Sequence, residues 1–236
     1  MTLNQCRRGV FAVDSFEIGG RKAEVFPAAA GGRPVIYLNT HEGAGAAVLS
    51  ELGRLGAPEC SLVAVSGLDW DSDMTPWRCP PVFKGGTDFG GDGAEYLELL
   101  LGEIVPRAEG LMPGEISWRG VAGYSLGGLF AFWALYNTGL FSRAASVSGS
   151  LWFPGMVEFV RTHELAPGVE RVYFSLGDRE AHVRNRYMRS VEDNTREIEG
   201  YLARKGIKTA FELNPGNHFA EPDARCARGI AWLLRE

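Results

Sequence analysis

The sequence predicts an α/β domain built on a mostly parallel, doubly wound sheet with an antiparallel N-terminal hairpin. Three observations lead there. Short apolar runs suited to strands covered on both faces recur along the chain, and segments of helical spacing separate them. Two early strand-like segments flank a Gly-Gly pair, as a hairpin requires. In mid-chain an alternating run, Ile116-Ser117-Trp118-Arg119-Gly120-Val121-Ala122, enters a glycine-rich turn and leaves it as the unbroken apolar stretch 129–136.

Taken in order, residues 8–16 and 22–26, joined by Gly19-Gly20, are expected to form the hairpin at the leading edge of the sheet. The continuously apolar run 34–38 reads as a central strand that ends in Asn39-Thr40-His41-Glu42-Gly43. A helix over 44–55 and a buried strand over 61–66 follow. The polar and aromatic segment 67–93, with Trp70, Trp77 and Phe83, is long for a connection and reads as an ordered pocket wall. From Ala94 the spacing of Tyr96, Leu97, Leu99, Leu100, Ile104 and Val105 predicts an amphipathic helix ending near Pro106. After the central strand-turn-helix come a short strand at 144–147, a strand at 169–176, a helix from Tyr187 to Gly206, a last strand at 207–213 and a closing helix at 222–234.

In doubly wound sheets reactive groups gather at the carboxyl ends of strands. The turn Gly123-Tyr124-Ser125-Leu126-Gly127-Gly128 lies at such an end and matches G-x-S-x-G between a strand and a helix. In that context the pattern is a nucleophile elbow: the turn is so tight that the serine sits strained at its apex with Oγ projecting above the sheet. Side chains two residues before or after Ser125 would strike the adjoining strand or helix, and Gly128 lets the helix start close to its neighbours. The Leu126 N–H would face the oxyanion formed when Ser125 attacks a carbonyl. The second donor is expected from the backbone after the first central strand, from Thr40 or else His41.

Such an elbow takes its partners in the order serine, acid, histidine. Of four histidines, His41 precedes the serine, His163 lies in a polar connection and His182 falls two residues past the acid loop. His218, after the last strand, is therefore the candidate general base. Two carboxylates compete for the acid, Asp178 and Glu180. Glu180, three residues after Gly177, is favoured, and Asp178 suits a turn or cap. Tyr124, Trp152 and Trp77 are candidate pocket walls.

Four motifs, GYSLGGLFAFWAL, SGSLWF, SLGDRE and NPGNHF, with DMTPW before them, resemble the putative-esterase branch of the α/β-hydrolases, the relatives of enterochelin esterases, esterase D type enzymes and feruloyl esterases. The resemblance runs from about Pro34 to Leu234. It implies hydrolysis of carboxylic esters, thioesters or siderophore-type lactones, with Ser125, Glu180 and His218 on matching positions. The chain departs from that branch where Asn39-Thr40-His41 replaces the more usual acidic or histidine plus glycine pair. The same triad also serves acyltransferases, and a binding protein could keep the fold.

The 236 residues suffice for a single domain, 1–236, with 45% hydrophobic and 22% charged residues. A net charge of −5 argues against nucleic acid or an anionic membrane as partner; the partner that the resemblance implies is a small-molecule ester. Cys6, Cys60, Cys79 and Cys226 form no C-x-x-C or His-Cys cluster, so no metal and no cofactor are expected. With Arg7 and Arg8 but no apolar stretch near the N-terminus, the chain is expected to be cytoplasmic.

Overall fold

The structure, a computed structural model, describes residues 13–41, 43–83 and 85–235. Cys6, Arg7, Arg8, Glu42 and the first part of the expected N-terminal strand lie outside the described residues. Eight strands form one sheet in the order β1-β2-β4-β3-β5-β6-β7-β8. The hairpin, β1 (Asp14–Ile18) and β2 (Arg21–Phe26), is antiparallel and forms the edge, as its sequence predicts. β2 pairs antiparallel with β4 (Ser61–Ser66). All further pairings, through β3 (Arg33–Asn39), β5 (Ile116–Tyr124), β6 (Arg143–Val147), β7 (Arg171–Gly177) and β8 (Lys208–Asn214), are parallel.

Helices cover both faces. On one side α1 (Ala44–Arg54) and α9 (Pro222–Leu234) bury Val48, Leu52, Ile230 and Leu233 against β3, β4 and β6. On the other pack α3 (Gly93–Leu99), α4 (Val105–Glu109), α5 (Leu126–Asn137), α6 (Met156–Thr162) and α8 (Val191–Arg204). α5 is buried from Leu126 through Leu135, which accounts for its lack of a polar face.

Two local expectations are corrected, and a third gains detail. The helix from Gly93 does not stop near Pro106. A π-helical turn, Leu100–Ile104, widens the spiral before the proline, relieving its clash with the preceding carbonyls, and α4 carries on to Glu109. The helix expected from Tyr187 to Gly206 is two, α7 (Arg186–Arg189) and α8, because the Asn185 side chain caps a separate first turn and Ser190 returns its hydroxyl to Tyr187 O. The segment 67–93 contains a short helix, α2 (Trp70–Asp73), and is pinned by an Arg21–Asp73 ion pair at 2.6 Å and a Cys79–Phe89 bridge. Among the described residues no helix is long and apolar enough to cross a membrane.

Candidate active site

Ser125 occupies the turn between β5 and α5 with φ 58° and ψ −122°. A non-glycine residue there costs about 1–3 kcal/mol and persists only when its surroundings hold it. They do so here. Its N–H donates to Val147 O at 3.0 Å, and its carbonyl accepts from Gly128, Leu129 and Ser150 at 3.0–3.1 Å. A Cβ on Gly123 would lie 2.3 Å from Gly127 O, and one on Gly128 3.0 Å from Gly123 O, so strand and helix approach too closely for side chains. At Gly127 the added atom would meet Trp70 and Asn39 O at 3.1 and 3.2 Å.

His218, beyond β8, places Nε2 at 3.0 Å from Ser125 Oγ and Nδ1 at 2.7 Å from Glu180 Oε2. The structure thus brings together Ser125, His218 and Glu180, drawn from three separate strand ends. Glu180 reaches inward because the turn closes between its own N–H and Gly177 O at 3.0 Å, while its Oε1 accepts from Gly177 N–H at 2.5 Å and from Ser148 Oγ at 2.8 Å. Burial alone would push this carboxyl up, but the hydrogen bonds from His218, Gly177 and Ser148 outweigh it and hold the group below its ordinary value. Asp178, exposed, instead accepts from Gly216 N–H at 2.9 Å and stays away from the imidazole.

Leu126 N–H is among the donors that a helix start leaves unpaired, and it adjoins Ser125. Thr40 differs from expectation: its N–H donates to Val65 O at 2.9 Å, extending the β3–β4 ladder, and is therefore spent. The next N–H, that of His41, has no hydrogen-bond partner among the described residues, and the His41 ring stacks on Trp70 at 4.6 Å.

Two cavities meet at Ser125 and His218. The smaller, about 200 Å³, is walled by Trp152, Val183, Met188 and Phe219, and the larger, about 430 Å³, by His41, Trp70, Tyr124, Phe219 and Asp223. Of the expected walls, Trp152 lines the smaller cavity and Tyr124 the larger. Tyr124 also donates its hydroxyl to His218 O at 2.6 Å, and burial raises its pKa. Trp77 is not a wall: its Nε1 donates to Pro154 O at 3.0 Å and its ring packs on Phe153 and Phe159, away from both cavities.

Several site residues escaped the sequence reading. Ser148, at a positive φ of 43° with its hydroxyl on Glu180, and Ser150, with Oγ 3.4 Å from Ser125 Oγ, come to the site only through the fold. Phe219 is 84% exposed beside His218, an apolar residue next to a catalytic-type loop that could have been noticed. Arg225 carried a legible signal as well, a charge in line with the buried Gly229 and Leu233 of α9. Among the described residues no group of three or more His, Cys, Asp or Glu is placed to hold a metal ion.

Comparison with known proteins agrees with this architecture. The uncharacterized protein YbbA of Bacillus subtilis is 30% identical over 153 residues, 64% of this chain, and the match spans 61% of that relative's length. The fold is similar to an IroE-like serine hydrolase from Shewanella oneidensis (TM-score 0.79, 19% identity, 95% of this chain and 80% of the other). It is similar also to the siderophore hydrolase EstA from Aspergillus nidulans (TM-score 0.76, 18% identity, 99% and 97%). With residues 35–221 matching the family described as "Putative esterase", the chain belongs to that family.

Proposed function

We propose that the protein is a serine carboxylic ester hydrolase that works through an acyl-enzyme on Ser125, with His218 as general base and Glu180 as the orienting acid. One observation carries the reading: a continuous line of hydrogen bonds, 3.0 Å from Ser125 Oγ to His218 Nε2 and 2.7 Å from Nδ1 to Glu180, opening where two cavities meet.

As Ser125 Oγ bonds to the ester carbon, its proton passes to His218 Nε2 and the carbonyl electrons move onto oxygen. That oxyanion lies against the Leu126 N–H and the unspent His41 N–H, each such donor being worth about 2.7–4 kcal/mol. Collapse breaks the C–O bond, and the imidazolium protonates the departing alcohol. Water then enters, gives its proton to His218, and releases the carboxylic acid by the reverse sequence. Cavities of about 200 and 430 Å³ walled by aromatic rings suit small or aromatic acyl groups better than long chains.

The test is a series of p-nitrophenyl esters of graded chain length, with a siderophore-type lactone and a thioester included because siderophore hydrolases share this fold. Acetate to butyrate and aromatic esters are expected to turn over best, insensitive to chelator. Ser125→Ala is expected to abolish turnover with the fold intact, and an organophosphonate to label Ser125 alone. Retained turnover in that variant, or a label elsewhere, defeats the assignment.

A further inference from the structure

Arg225 lies in the first turn of α9, a poor place for a cation because the helix dipole presents its positive end there. It is fully buried, and its Nε has no hydrogen-bond partner. Buried ion pairs seldom stabilise more than well-packed apolar residues would, so stability gives little reason for a guanidinium at this position.

Its contacts give another. Nη1 lies 3.2 Å from Glu180 Oε1, 3.1 Å from Ser148 Oγ and 3.3 Å from the Tyr124 hydroxyl, and Nη2 donates to Pro215 O at 3.0 Å. Counting Gly177 N–H and Ser148, Oε1 faces three donors, which saturates it and leaves Oε2 alone turned to the imidazole. Through Tyr124, whose hydroxyl donates to His218 O, and through Pro215 O, the same guanidinium reaches the loop carrying the histidine at both ends.

We propose that Arg225 is a positioning residue for the reaction: its planar fork fixes one orientation of the Glu180 carboxylate and ties that carboxylate to the His218 loop. The proposal rests on the hydrolase reading above. Other ionisable side chains near the pair are Asp178, turned to Gly216 N–H with Arg179 beside it at 3.9 Å, and Asp223 and His41 in the larger cavity; none is hydrogen-bonded to Glu180 or His218. A lysine could supply the charge but not the fork.

The experiment compares Arg225→Met, Arg225→Lys and Ser148→Ala with wild type by kcat, KM and the pH profile of kcat/KM on p-nitrophenyl acetate, with circular dichroism as the check on folding. Arg225→Met is expected to lose on the order of a hundredfold in kcat, less than the about 10⁴ of disabling the acid itself, with KM nearly unchanged. Its acid limb moves to higher pH, because removing a positive charge near the imidazolium favours the protonated histidine. Arg225→Lys keeps the limb in place and recovers part of kcat, and Ser148→Ala loses less than Arg225→Met. A folded Arg225→Met with wild-type kcat, or a loss with an unmoved limb, overturns the proposal. Should Arg225→Met fail to fold, wild-type kcat in both other variants overturns it equally. If Ser125→Ala is itself active, the hydrolase reading falls; if Ser125 is essential and Arg225 indifferent, only this proposal does.

Discussion

Glu180→Gln tests the acid with a single atom pair. The amide must decide which end faces the histidine, and the surroundings decide for it. Gly177 N–H, Ser148 Oγ and Arg225 Nη1 all point at Oε1, so the amide oxygen takes that place and the NH₂ group falls where Oε2 stood, 2.7 Å from Nδ1. An NH₂ there donates to Nδ1, which forces the proton onto Nε2, and a protonated Nε2 cannot accept from Ser125 Oγ. The expected loss is on the order of 10⁴ in kcat, the scale of the analogous Asp→Asn change, or about 5.4 kcal/mol at 1.36 kcal/mol per decade. Asp178→Asn keeps an acceptor toward Gly216 N–H and is expected to lose less than a factor of three in kcat, with about 1 kcal/mol of stability at most. The assay is kcat and KM on p-nitrophenyl acetate for both variants, with urea unfolding alongside. A folded Glu180→Gln within tenfold of wild type, or Asp178→Asn as the more damaged of the two, would refute the reasoning.

Gly123→Ala sets a Cβ 2.3 Å from Gly127 O, backbone that cannot yield cheaply, and is expected to cost about 1–3 kcal/mol or more, read as a lower urea midpoint. Phe219→Ala removes a ring that is 84% exposed yet walls both cavities, so the melting temperature should hold while KM for aromatic esters rises several-fold against acetate; equal KM changes for both would count against it as a wall. Because Glu180 is held below its ordinary value near 4.5, its contribution to stability is fully present above that value and is lost as the pH falls through the lower folded value. The stability difference between wild type and Glu180→Gln should therefore shrink as the pH is lowered from 6 to 3, and a difference that grows would contradict the assigned hydrogen bonds.

What the sequence makes legible follows from which constraints are local. The turn at Ser125 requires glycines where strand and helix nearly touch, so its letters announce it, and runs such as 62–65 are uniformly apolar because both faces are covered. Chain order then narrows the histidine to His218. The residues misjudged are those whose task is set by distant neighbours. Trp77 and Trp70 stand seven apart in one segment with nothing local to separate them; only the fold sends one to Pro154 and the other to His41. Thr40 looked available because the ladder that uses its N–H belongs to β4, across the sheet. Pro106 reads as a stop until the π-helical turn before it is known.

The sheet itself is the ruler for the site. β5, β6, β7 and β8 are consecutive and parallel, with Tyr124 opposite Val147, Val147 opposite Ser175 and Gly177 opposite Asn214, so their carboxyl ends advance in step. Ser125, Ser148, Glu180 and His218 each follow one of these ends. Strand spacing alone would separate the first and last by about 14 Å, three steps of about 4.8 Å. The 2.6 Å bond from Tyr124, on β5, to His218 O holds the loop after β8 back over the elbow, together with the bonds of Arg225 to Pro215 O and of Gly216 N–H to Asp178. Tyr124 therefore does more than wall the larger cavity, and a serine three strands from its base can still stand 3.0 Å from it.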